Sequence, residues 1–147
     1  MRALRKIEWI VVHHSLTPDG PKLSVPAIRH YHTAPKPEGK GWDDIGYHMV
    51  IERAEMSIEA VMGRPWIYQG AHARGRNHNS IGVCILGNFD EYPVPPDQWH
   101  FAVKALWWLC RYLRLPAERV VGHREVQRNR RCPGEFFDLD RLRREIA

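Results

Sequence analysis

Two kinds of apolar pattern run along the chain. Ile7 to His14 is a nearly continuous apolar run rich in β-branched residues, which predicts a central strand covered on both faces. Thr17-Pro18-Asp19-Gly20-Pro21 has strong turn chemistry. Ser24 can then cap a helix that continues through Pro26, Ala27, Ile28 and Tyr31. Pro35 to Gly41 breaks it and reads as a mobile loop. Asp44 to Ile51 predicts a second strand, with Tyr47, Met49 and Ile51 on one face and His48 and Val50 on the other. A weaker third strand over Ser57 to Val61 would close a hairpin through Arg53-Ala54. Gly63 to Asn79 reads as a long ordered loop, and loops of that length inside compact domains are usually functional. Ile81 to Leu86 is another buried strand.

The clearest helical period follows Pro95-Pro96-Asp97. Trp99, Ala102, Val103, Leu106, Leu109, Cys110 and Leu113 fall on one face, and the aromatic residues of this helix are assigned to the core. Leu115-Pro116 closes it, Arg119 to Gly122 predicts the last strand, and Asp138 can cap a short helix ending near Ala147. Strands and helices alternate in part but not strictly, which predicts an α/β fold with a mixed sheet. No repeat or linker interrupts the chain, so residues 1–147 are expected to form a single domain.

Composition narrows the class. At 147 residues and 44% hydrophobic, the chain can bury about 70% of its unfolded surface without staples. The formal charge of +5 favours anionic partners, but the basic residues are spread out and no nucleic-acid motif accompanies them, so no nucleic acid is expected. Of three cysteines, Cys84 and Cys110 sit in apolar patterns and read as core thiols. That usage suggests synthesis in a reducing compartment. No apolar stretch approaches the length of a membrane span, and none of signal-peptide length precedes Glu8.

Cys132 lies in a loop, before Pro133-Gly134 and nine residues after His123. Imidazole and thiolate are common zinc ligands, and a loop between them would let both reach one ion. A third donor would come from Val11-Val12-His13-His14-Ser15, where another apolar strand ends in histidine. Neighbours on a strand point to opposite faces, so only one of His13 and His14 can normally reach the ion. Both faces carry valines, and periodicity does not choose between them. A single strand-end histidine is more often hydrogen-bonded than ligating. Arg124, Arg128, Arg130 and Arg131 read equally well as a solvated loop face.

Five motifs taken together carry a resemblance. They are Val12-His13-His14-Ser15, Gly41-Trp42-Asp43-Asp44-Ile45-Gly46-Tyr47-His48, Gly70-Ala71-His72-Ala73, Asn77-His78-Asn79-Ser80-Ile81-Gly82-Val83, and Gly122-His123-Arg124-Glu125 with Cys132-Pro133-Gly134. In this order they resemble the zinc-dependent N-acetylmuramoyl-L-alanine amidases of the type-2 amidase and peptidoglycan-recognition-protein superfamily, the small phage amidases above all. The resemblance implies a central mixed sheet flanked by helices. It implies a zinc ion held by His13, His123 and Cys132, with a fourth position open, as at catalytic sites. It makes Tyr47 the catalytic tyrosine beside the metal and puts His72, as a substrate-binding residue, at the rim of the same cleft. Catalytic members often carry a lysine two residues before the last ligand; here Arg130 stands there, and a guanidinium can also stabilise an oxyanion. Glu125 is the expected hydrogen-bonding partner of the His123 ligand.

The implied reaction is hydrolysis of the amide between N-acetylmuramic acid and L-alanine, on peptidoglycan or muropeptides, by a monomer. A phage or prophage endolysin is expected, synthesised in the cytoplasm without a signal peptide and released to the wall by a holin. A cytoplasmic muropeptide-recycling amidase and a non-catalytic peptidoglycan binder of the same fold are the alternatives.

Overall fold

The computed structural model describes residues 1–17 and 24–147, so the turn expected at Thr17 to Pro21 falls, beyond Thr17, outside the described residues. In chain order the elements are β1 (Trp9–His14), α1 (Val25–Thr33), β2 (Met49–Arg53), β3 (Ile58–Met62), β4 (Ser80–Ile85), α2 (Pro96–Leu113), a 3-10 turn at Ala117–Arg119, β5 (Val120–Gly122), α3 (His123–Val126) and α4 (Leu139–Ile146). The strands form one sheet in the order β3-β2-β4-β1-β5. β1 is parallel to both β4 and β5, β2 is parallel to β4, and β3 is antiparallel to β2, so the sheet is mixed. β4 is buried along its whole length, and β1 is buried from Ile10 onward, which is why their sequences show no polar alternation.

The two faces of the sheet differ. On one, Ile10, Val12, Ile81, Val83 and Ile85 pack beneath α2 and α4, against Trp99, Leu106, Leu109 and Leu142. Each such fully buried side chain contributes about 1.5–3 kcal/mol of burial free energy. On the other, Val25 and Ile28 of α1 cover Val50 and Cys84, and Val11 packs with Ala73 and Val121. This thinner layer leaves the C-terminal ends of β1 and β5 open to a cleft.

Several expectations change. Trp107, Trp108 and Tyr112 are 42%, 50% and 64% exposed, because the helical period turns them away from the sheet. Trp108 stacks on Tyr112, and the Arg111 guanidinium covers Trp107. Of the aromatic residues of α2, Trp99 is buried and Phe101 is half-buried against the core.

The second strand begins at Met49, not Asp44. The preceding residues are held by the loop after β3 and by α1: Arg64 donates to the carbonyls of Asp44, Ile45 and Gln69, and the Gly46 amide donates to His32 Nδ1 of α1. Freed from strand alternation, Tyr47 packs with Ile45 and Val50, on the face opposite Met49 and Ile51.

The Pro35 to Gly41 segment is tied to the end of α1 by Gly39, Lys40 and Gly41 amides donating to the carbonyls of Pro35, Tyr31 and Ala34. At the other end of α1, Ser24 makes no side-chain cap; the Val25 amide donates to Glu52 Oε2 instead, placing a carboxylate at the positive helix end. Asp138 caps α4 as expected, accepting from the Arg141 amide.

Candidate functional site

β1 and β5 are neighbours, and their C-terminal ends bring His13 and His123 together, with ring centroids 4.7 Å apart. Crevices at the carboxyl ends of parallel strands are the usual ligand sites of such sheets. The loop after α3 returns Cys132, whose Sγ lies 3.6 Å from His13 Nδ1. One donor atom from each of His13, His123 and Cys132 falls within 4.8 Å of the others.

Of the four arginines for which a solvated loop face is the alternative reading, Arg124 instead holds this loop shut. Its guanidinium donates to the carbonyls of Gly134 and Phe137, and its amide to the carbonyl of Cys132. The His14 amide donates to Cys132 Sγ at 3.4 Å. The His14 ring itself points into the opposite layer, where Nδ1 accepts from the Phe89 amide.

The partner of His123 is Gln127 rather than Glu125. His123 Nε2 donates to Gln127 Oε1 at 2.7 Å. The reason is α3: a single helical turn sets residues four apart side by side and sends the residue two along elsewhere. Glu125 accepts instead from the Gly122 amide and from Arg143, joining α3 to α4. Sequence periodicity could not have found Gln127, since one turn is too short to show a period.

His72 lines the cleft beside His13 but is only 8% exposed, deeper than the rim. Its Nδ1 lies 2.9 Å from His13 Nε2 and its Nε2 lies 3.2 Å from Ser80 Oγ. Asn77 Oδ1 accepts from the amides of both His72 and Ala73, fixing the loop that carries the ring.

The cleft above these groups measures about 600 Å³. Tyr47 lines it with its ring 5.2 Å from that of His13, and Arg130 and Arg131 line it from the exposed loop. Burial holds His13 and His72 well below the usual histidine range, and lowers His123 also, although its bond to Gln127 opposes this. Burial raises Cys132 to about 12, against the lowering effect of the His14 amide. Burial likewise pushes the Tyr47 phenol well above its ordinary value, with the nearby Cys84 and Cys132 sulfurs adding to it. Burial thus favours the neutral forms of the His13 and His123 imidazoles and of the Cys132 thiol. Two neutral imidazoles and a thiol beside them suit a soft or borderline divalent cation, which would also bring the thiol to thiolate. The residues present fit zinc.

The family model for N-acetylmuramoyl-L-alanine amidases matches residues 3–135. The endolysin of Enterobacteria phage T3 is 43% identical over 84 residues, covering 57% of this chain and 50% of that protein. The chain thus matches about half the length of that relative. The endolysin of Klebsiella phage KP32 is 38% identical over 135 residues, covering 90% of this chain and 82% of its own length. Among solved structures, the N-acetylmuramoyl-L-alanine amidase LysC from Clostridium intestinale URNW superposes with a TM-score of 0.80 at 27% identity, covering 96% of this chain and 85% of that one.

Proposed function

The chain belongs to the N-acetylmuramoyl-L-alanine amidase family, and on that premise we propose that it is a zinc-dependent peptidoglycan amidase acting as a phage or prophage endolysin. The observation that carries this reading is the convergence of His13, His123 and Cys132 at the floor of an open cleft. Among the described residues that cluster has no fourth protein donor, so a position remains for water or substrate, whereas structural zinc sites are closed by four.

His13, His123 and Cys132 would hold a zinc ion, which would supply the Lewis acidity that makes water a competent nucleophile near neutral pH. The bond broken is the amide between the lactyl carbonyl of N-acetylmuramic acid and the nitrogen of L-alanine. Tyr47, kept protonated, donates a hydrogen bond to the oxygen on which negative charge develops. Arg130 adds a positive charge to the same oxygen from the cleft wall. The arginines of the loop also suit the carboxylates of stem peptides. The phage relatives support release to the wall over cytoplasmic recycling.

The test incubates purified protein with peptidoglycan and looks by mass spectrometry for new free amino groups on L-alanine. They should appear, vanish on chelation and return with zinc. Sedimentation with peptidoglycan without any new amino group would instead establish a non-catalytic binder.

A further inference from the structure

We infer that His72 is a positioning residue for the metal ligand His13, the middle member of a relay that runs from the Arg76 carbonyl through Ser80 and His72 and leaves Nδ1 of His13 bare to bind the ion. The inference rests on the zinc reading above and gives His72 a task different from substrate contact.

The direction of the relay follows from counting protons. Ser80 has a single hydroxyl hydrogen, and it is spent on the Arg76 carbonyl at 2.6 Å, a group that can only accept. Toward His72, Ser80 Oγ can therefore only accept, so His72 carries its hydrogen on Nε2, 3.2 Å away. A neutral ring protonated on Nε2 has a lone pair on Nδ1. That lone pair faces His13 Nε2 at 2.9 Å, so His13 must donate there and carry its own hydrogen on Nε2. The Nδ1 of His13, 3.6 Å from Cys132 Sγ, is left with a free lone pair on the side of the three-donor cluster. His123 reaches the same state independently, donating from Nε2 to Gln127 Oε1, which can only accept on that side. Ligating histidines generally hold the other ring nitrogen in such a bond, which fixes tautomer and ring orientation.

The space for His72 is built into the sheet. A side chain at Gly82 would place Cβ 2.6 Å from His72 Cγ, and one at Gly70 would place it 2.5 Å from His72 Cδ2. His48 on the far side is bound elsewhere: its Nδ1 accepts from the Gly82 amide and its Nε2 donates to the Tyr68 carbonyl. It is thus not free to compete for either His72 nitrogen.

Two measurements on the full chain test the relay: zinc affinity by competition with a chromogenic chelator, and histidine tautomers by nitrogen-15 NMR with and without zinc. His72→Leu should weaken zinc binding about 10–100-fold, and Ser80→Ala should weaken it in the same direction, both with an unchanged circular dichroism spectrum. His72→Asn, whose Oδ1 can replace Nδ1 as acceptor, should recover most of the affinity. The metal-free parent should show His13 and His72 both protonated on Nε2. Parental affinity in His72→Leu, no recovery in a folded His72→Asn, or His13 protonated on Nδ1 would overturn the relay. If the parent binds no zinc, or His13→Ala binds it as tightly as the parent, the zinc reading itself fails. The tautomer spectrum of the metal-free chain still decides the relay in that case, and if His72→Leu does not fold, Ser80→Ala and His72→Asn decide its effect on affinity.

Discussion

His13 and His14, adjacent at the end of β1, face opposite layers: His13 Nδ1 lies 3.6 Å from Cys132 Sγ, and His14 Nδ1 accepts the Phe89 amide at 3.0 Å. The two substitutions should therefore separate. His13→Ala should abolish zinc binding. His14→Ala should keep the metal but lose about 1–3 kcal/mol of stability, because the buried Phe89 amide is left unpaired. Metal content and denaturant unfolding measure the two effects, and loss of zinc in a folded His14→Ala would reverse the assignment.

The sequence showed the strands and the long helix because buried strands and amphipathic helices impose periods on their residues. Ile81 to Leu86 and the face from Trp99 to Leu113 are examples. It did not choose between His13 and His14, since valines flank both faces of β1 and the choice came from resemblance. It put Tyr47 on the wrong face because strand alternation was extended back through residues that Arg64 and His32 hold in loop geometry. The depth of His72 and the role of Gln127 had no pattern to betray them: one lies in a loop ordered by side-chain bonds, the other on a single helical turn.

Tyr47→Phe removes only a hydroxyl. Zinc content and fold should be unchanged, and turnover should fall about 10²–10³-fold if the phenol donates to the developing oxyanion. The kinetic assay is release of L-alanine amino groups from peptidoglycan. A rate equal to the parent's would remove Tyr47 from the reaction.

Arg130 lines the cleft, and Arg128, two residues earlier in the same exposed loop, does not. Arg130→Ala should lower turnover by about tenfold or more, as expected for loss of a charge aimed at the transition state, while Arg128→Ala should leave it nearly unchanged. Equal, small effects in both would return the loop arginines to a solvated face.

His32 supplies a pH dependence. Its Nδ1 accepts the Gly46 amide, and burial, with smaller contributions from Lys40 and Arg64, lowers its pKa to about 4. In the unfolded chain it titrates near 6.5. Below that value the unfolded state takes up a proton that the folded state refuses. The stability His32 confers is therefore full above about pH 6.5 and is lost as the pH falls toward about 4. Urea midpoints of the metal-free protein should drop between pH 7.5 and 4.5. His32→Asn, which keeps an acceptor for Gly46 but does not titrate, should show a smaller drop. An equal drop in both would remove His32 as a source.

Gly82 sits in the middle of β4, paired with Val11 of β1, where no turn or positive φ calls for glycine. Val, Ile and Cys fill the neighbouring positions, as expected of a buried parallel strand. The reason for glycine is the ring lying across it: an added Cβ would stand 2.6, 2.7 and 2.8 Å from Cγ, Cδ2 and Nδ1 of His72. The strand backbone is fixed by partners on both sides, so the ring must be what moves. Gly82→Ala should then cost about 1–3 kcal/mol of stability by overpacking. It should also weaken zinc binding, because a displaced His72 no longer meets His13 Nε2. A destabilised variant with parental zinc affinity would separate packing from the metal centre and show that the position of His72 does not govern its hold on the ion.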